Sequence, residues 1–380
     1  MRALILADGS FASRERALLS RLEVGLADEG VRVVRVTPIE PAAESLDNPY
    51  LRWIRFPEPS AQLFSPISAR AVLQDITTMR EMSVQDNEPI DLVHIMGDNA
   101  WSSGERIARE LDAAVVYELW SEVAVQRGLA LARALKSRDE EQRRRVIFLC
   151  PDEGVEQRIE ANTPWVNRRL AVWGVHSQND RPDWPKRESA FSVLMLGVGD
   201  DIAACKAALD GLSRLRTMTP TLLIFLDAAL VRSSNALWKH AERLKLLDCL
   251  SVIEDTESRR ELSLQVDAVV VPERLQEHRT ILLDAMAHGV LVLAREGCPM
   301  TALRPNETAI VIERGDADEW ERSVAQLLSD RARAAALLEG AIRFVREHRL
   351  ASAHVRGALN AYETVAGAPP IAFAAGARVG

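Results

Sequence analysis

The stretch from Asp267 to Asp330 restricts what this chain can fold into more than any other. It begins with AVVVP (268–272), an apolar and largely β-branched run halted by proline, which is the pattern of a short buried strand. A polar loop, ERLQEHRT (273–280), follows. ILLDAMAHG (281–289) then carries Ile281, Leu282, Ala285 and Met286 at helical spacing, and Gly289 closes the helix as a C-cap. VLVLA (290–294) is a second buried strand, with REGCP (295–299) as the turn after it. Strands joined through a helix run parallel. The loops at 273–280 and 295–300 therefore lie at carboxyl ends of parallel strands, where open α/β sheets hold their ligands.

The same alternation recurs along the chain. RALILAD (2–8) reads as a strand and GSFAS (9–13) as its loop. Leu18, Leu19, Leu22 and Leu26 mark a helix stopped at Gly30, and VRVVRVTP (31–38) is the next strand. Gly9 at such a turn lets the backbone approach an anion at the helix N-terminus, although a lone glycine there also serves simply as a turn. No G-x-G-x-x-G follows the strand, so an NAD-type enzyme is poorly supported. IDLVHIMGDN (90–99), SGERIARELD (103–112), AAVVYELWS (113–121) and RRRVIFLCPDEGVEQRIEAN (143–162) continue the strand and helix pattern. His94, inside its strand, reads as a packed core or strand-end histidine. Arg143–Arg145 beside Asp139, Glu140 and Glu141 read as a solvated mixed face, with contact to anionic lipid headgroups as the alternative.

The polar segment 168–189, with Pro182 and Pro185, reads as a linker. FSVLMLGVGDDIAACKAALDGLSRL (191–215) then opens a second strand, glycine loop and helix. Two amphipathic helices, 331–349 and 351–367, end the pattern, and 368–380 reads as a frayed tail.

At 380 residues the chain has length for two cores, and 47% apolar with 27% charged residues is a globular balance. A net charge of −8 argues against nucleic acid as a partner. Cys150, Cys205, Cys249 and Cys298 form no C-x-x-C pair, so a disulfide framework or zinc site is not expected and a reducing cytoplasm fits. No apolar run reaches the ~18–20 residues of a membrane span.

One family brings these features together. A strand ending in proline, AMAHG at 285–289, the apolar strand at 290–294 and GDADEWERSVAQLLSD (315–330) resemble the C-terminal half of the retaining, nucleotide-sugar-dependent GT-B glycosyltransferases with an E-x7-E signature. The resemblance covers nearly the whole chain in the order of its elements and 267–330 by motif. It implies an α/β protein with two Rossmann-like, doubly wound domains facing across a cleft. The implied divisions are an acceptor-side domain at 1–187, a donor-side domain at 188–350, and a helix at 351–367 returning to the first domain. The implied reaction is transfer of a hexosyl-type sugar from a UDP-, GDP- or ADP-type donor to a glycan, lipid or small molecule, with retention, without a metal and without a permanently bound cofactor.

The resemblance also shows where this sequence departs from the family. The two glutamates of the signature fall on Gln276 and Asp284, and the acceptor-side histidine on Trp120. The arginine of the family's glycine loop falls on Val198 and its lysine near Ala203, with Lys206 further along the helix. The Gly-Gly turn reads Gly297-Cys298. The expected donor-binding set is Gly9, Gly197, Gly199, Lys206, Glu277, His278, Arg279, Thr280, Arg295 and Gly297, with a one-residue slip making Glu277 or Glu273 the working carboxylate. These departures carry a second expectation: a degenerate relative acting as a binding or assembly subunit beside a partner glycosyltransferase. The expected location is the cytoplasm, with peripheral contact at the inner membrane face.

Overall fold

The computed structural model describes residues 1–38, 50–55, 66–82, 88–177, 184–185, 190–219, 221–232, 235–254 and 256–366. The expected tail at 368–380 lies outside these. The chain divides into two compact units: Met1–Val172 with Ser352–Gly380, and Trp173–Ala351.

Unit 1 alternates strands and helices in the order β1 (Arg2–Ala7), α1 (Gly9–Arg14), α2 (Arg16–Asp28), β2 (Arg32–Thr37), β3 (Leu51–Arg55), α3 (Pro66–Met82), β4 (Leu92–Met96), α4 (Trp101–Glu110), β5 (Ala114–Glu118), α5 (Glu122–Leu135), α6 (Glu140–Arg144), β6 (Val146–Cys150), α7 (Glu153–Asn162) and β7 (Asn167–Leu170). The strands form one sheet in the order β3-β2-β1-β4-β5-β6-β7, every pair parallel. Leu4, Ile5, Leu6, Leu92, Val93 and Ile95 are buried, as central parallel strands covered on both faces require. Strand order reverses between β1 and β4, the switch point of a doubly wound fold.

Unit 2 repeats the plan with β8 (Phe191–Met195), α8 (Ile202–Arg214), β9 (Leu222–Asp227), α9 (Ala229–Arg232), α10 (Ala236–Arg243), β10 (Leu250–Ile253), α11 (Thr256–Ser263), β11 (Ala268–Val271), α12 (Thr280–Ala287), β12 (Leu291–Arg295), β13 (Ile310–Ile312), α13 (Ala317–Ser329) and α14 (Arg331–His348). Its parallel sheet runs β10-β9-β8-β11-β12-β13, with the reversal between β8 and β11. Val193, Met195, Leu209, Ile224, Val270, Leu293 and Trp320 belong to its core. Aspartates fix several helix starts: Asp201, Asp316 and Asp330 each accept the N–H three residues on.

The last described helix, α15 (Ala351–Ala366), is built largely into unit 1. Gly25 of α2 leaves room only for Val355, and Gly357 lets α15 approach the backbone at Ala171. His354 and Tyr362 are buried in unit 1.

Two local readings of the sequence are corrected here. Gly9 is not a loop residue but the first residue of α1, which Asp8 caps by accepting from the Phe11 N–H at 2.7 Å. The segment expected to be a linker opens with β7, whose residues pair with β6. Trp173 in that segment is buried, and the Trp184 indole donates to the Asp267 carbonyl at 3.0 Å.

Candidate functional site

Unit 2 buries a run of charged side chains in the chain leaving β11. From Glu273 to Glu277 the backbone alternates inward and outward, as extended chain does: Glu273, Leu275 and Glu277 are buried while Arg274 and Gln276 are exposed. Gln276, on the motif's position for the first glutamate, is thus a surface residue whose amide donates to the Arg274 carbonyl at 3.4 Å. The buried carboxylate is its neighbour Glu277, 3.1 Å from the Arg279 guanidinium. His278 packs edge-on against Trp173, with ring centroids 5.9 Å apart. Thr280 opens α12, and the preceding Arg279 gives that helix no side-chain cap. Glu277, His278, Arg279 and Thr280 are all at most 8% exposed, a burial that charged groups tolerate only when paired or bonded.

Asp284, the second position of the motif, keeps its carboxylate in an ion pair with Arg260 of α11 at 3.0 Å. The α12 backbone continues past it to Gly289 at φ 64, the left-handed stop expected from the sequence. Gly297 lies at φ 94 in the turn after β12, where glycine is the residue that fits. Arg295 donates to the Arg314 carbonyl, so its guanidinium is held at the β13–α13 turn and not on the Glu277 loop. Lys206 lies half-buried on α8.

The glycine loop between β8 and α8 has Glu273 as its partner. Glu273 Oε2 accepts from the N–H groups of Val198 at 2.6 Å and Gly199 at 3.1 Å, and Oε1 from that of Asp201 at 2.6 Å. A Cβ at Gly197 would overlap this carboxylate. Burial, reinforced by the charges of Glu273 and Asp201, pushes the Cys205 thiol well above its ordinary range.

In unit 1, Trp120 is buried and meets Phe11 edge-to-face with centroids 5.0 Å apart, a packing role in place of an acid or base. Ser121 beside it caps α5 through the Ala124 N–H at 2.9 Å and donates to Asp98 at 2.8 Å. His94 is buried as expected for a core histidine, but within a polar chain: Nδ1 lies 2.7 Å from the Tyr362 hydroxyl and Nε2 3.1 Å from Glu118. Sequence spacing gave no sign of this group, because Tyr362 lies 268 residues from His94. Among the described residues no cluster of three or more His, Cys, Asp or Glu could hold a metal. No described helix is long and apolar enough to cross a membrane.

With this geometry in hand, the likeness to known structures is specific in fold. The chain matches a glycosyltransferase from Rickettsia africae with a TM-score of 0.71 and 14% identity, over 97% of this chain and 99% of that one. A sucrose-phosphate synthase from Thermosynechococcus elongatus matches at 0.70 and 16%, over 97% and 100%. Anabaena HepE, solved in complex with UDP-glucose, matches at 0.64 and 13%, over 95% and 99%. No protein-family profile and no curated sequence matches. The fold is that of the GT-B glycosyltransferases, built from two Rossmann-like parallel-sheet domains.

Proposed function

We propose that this protein is a retaining glycosyltransferase that takes a nucleotide-sugar donor in unit 2 and passes the sugar to a glycan, lipid or small molecule. The observation that carries the reading is the buried polar run Glu277–Thr280 at the carboxyl end of β11, leading into a helix without a side-chain cap. A carboxylate, an imidazole and a guanidinium in sequence at this end of the sheet offer what a donor needs, because its hydroxyls and its departing diphosphate call for acceptors, donors and a cation.

In this assignment Glu277 accepts from donor hydroxyls and Arg279, held in place by Glu277, faces the charge that grows on the leaving group. The backbone N–H groups at the start of α12 add to it. HepE has been solved with UDP-glucose in the same fold, which supports a uridine donor as the first to try. The protein would work in the cytoplasm, at its membrane face if the acceptor is a lipid.

A second reading, a binding or assembly subunit beside an active glycosyltransferase, is favoured by one observation: the β8–α8 loop, with Val198 at the arginine position, has its amides taken by Glu273. Calorimetric titration with UDP, GDP and ADP, with and without magnesium, separates the two. Micromolar binding of one nucleotide supports the enzyme and names the base. A folded protein that binds none of the three would sink the enzyme reading.

A further inference from the structure

The turn joining β8 to α8 aims the N–H groups of Val198, Gly199 and Asp201 at one spot. It lies at the switch point of the unit 2 sheet and opens a long helix, the combination that collects ligand phosphates in doubly wound folds. In this chain the spot is filled from within. Glu273 leaves the neighbouring strand β11, crosses the switch point and gives both carboxylate oxygens to the three N–H groups. It is 3% exposed. Gly197 provides the room, since any larger residue would strike the carboxylate.

Unit 1 makes the same arrangement with a different residue. Asp8, at the end of β1, accepts from the Phe11 N–H at 2.7 Å and reaches across to the Asn99 N–H beyond β4 at 2.9 Å. Gly97, at φ 103, makes room for it. Both switch points are therefore closed by a carboxylate of the chain.

We infer that Glu273 is a specificity-determining residue: its carboxylate stands where a ligand phosphate would, so the β8–α8 turn accepts no anion and unit 2 holds a donor without it. A second anion at this turn would find the N–H groups of Val198, Gly199 and Asp201 already taken and would meet a like charge at contact distance. Val198 fits this arrangement, because a turn that meets no phosphate has no use for the guanidinium expected there. For its consequence on the donor the inference rests on the proposed function; for the closure of the turn it rests on geometry alone.

The test uses Glu273→Ser and inorganic phosphate. The variant should melt several degrees below the wild type, because three amides lose a charged acceptor. Phosphate at ~20 mM should then raise its Tm by at least about 5 °C more than it raises that of the wild type at matched ionic strength, where it acts only as a general stabilising salt. Equal shifts in both proteins would overturn the inference.

Should the variant not fold, the wild type itself gives the answer by NMR. The amide signals of Val198, Gly199 and Asp201 should stay in place and protected from exchange when phosphate or UDP is added to excess. Movement of all three with either ligand would show that the carboxylate yields to phosphate and would reject the inference. If UDP binds nowhere on the chain, the glycosyltransferase reading fails while the phosphate comparison still decides the role of Glu273.

Discussion

His94 Nε2 and Glu118 Oε2 face each other at 3.1 Å from adjacent strands of unit 1, both side chains wholly excluded from water. His354 from α15 stands on the other carboxylate oxygen at 3.8 Å, an ion-pair distance, and Tyr362 from the same helix meets the far nitrogen of His94. A ring carrying its proton on Nε2 donates to Glu118 and accepts from Tyr362, whose hydroxyl keeps its proton because burial and the charges of Glu118 and Glu23 push it well above the usual range. This chain binds α15 to the centre of the unit 1 sheet.

The pH response follows from Glu118. Burial opposes its charge, but His354 and His94 outweigh burial and hold the carboxyl down at about 2. A depressed acid stabilises the fold above its unfolded value of 4.5 and loses that contribution as pH falls toward 2, a span worth about 3 kcal/mol. Urea unfolding at pH 7, 4 and 3 should show the loss, and Glu118→Gln should be less stable at pH 7 with a flatter slope below 4.5. An unchanged slope in the variant would assign the acid response to other carboxylates.

A second buried pair behaves in the opposite sense. Arg35 and Glu23 meet at 3.2 Å, both almost fully buried. Burial exceeds the help of Arg35 and lifts the Glu23 carboxyl to about 7. Such a pair is costly to break and cheap to replace. Glu23→Ala should lose about 3–5 kcal/mol in urea unfolding, whereas the apolar pair Glu23→Leu with Arg35→Met should come within about 1 kcal/mol of the wild type or exceed it.

Two glycines with positive φ separate strain from overlap. Gly30 has φ 78 and open space around it, so Gly30→Ala should cost about 1–2 kcal/mol, the penalty of left-handed backbone. Gly97 has φ 103 and lies against the Asp8 carboxylate, so Gly97→Ala carries the overlap as well and should cost about twice as much. Thermal unfolding of the two variants side by side measures the difference.

The proposed donor site makes its own demand. Arg279→Ala and Glu277→Gln should each weaken nucleotide-sugar turnover by ~10²–10³. Gln276→Ala, at the neighbouring exposed position, should leave it within about three-fold. Steady-state kinetics with the nucleotide sugar identified by titration is the measurement, and a larger effect at Gln276 than at Glu277 would restore the register that the motif implies.

Much of the frame was legible because parallel strands buried on both faces write themselves as unbroken apolar runs: LILA in β1, VVV in β11 and LVLA in β12. β7 was not legible, since NRRL is an edge strand with no apolar run and takes its identity from pairing with β6. Burial within the loop was harder still. Glu273, Gln276 and Glu277 look alike in a polar sequence, and what buries Glu273 is a set of amides 72 to 75 residues away. The motif could suggest that a carboxylate belongs near 276, but the turn of the chain leaves Gln276 exposed and buries Glu277 beside it.

The return of α15 to unit 1 also orders events on the ribosome. Unit 2 is continuous from Trp173 to Ala351, so all of it has been translated before Ser352–Ala366 emerge. Until then Glu118 and His94 lack the tyrosine and histidine of α15, and Gly25 lacks Val355. Unit 1, translated ahead of unit 2, is therefore completed after it, and a nascent chain stalled within unit 2 exposes the uncovered floor of unit 1 to chaperones and proteases.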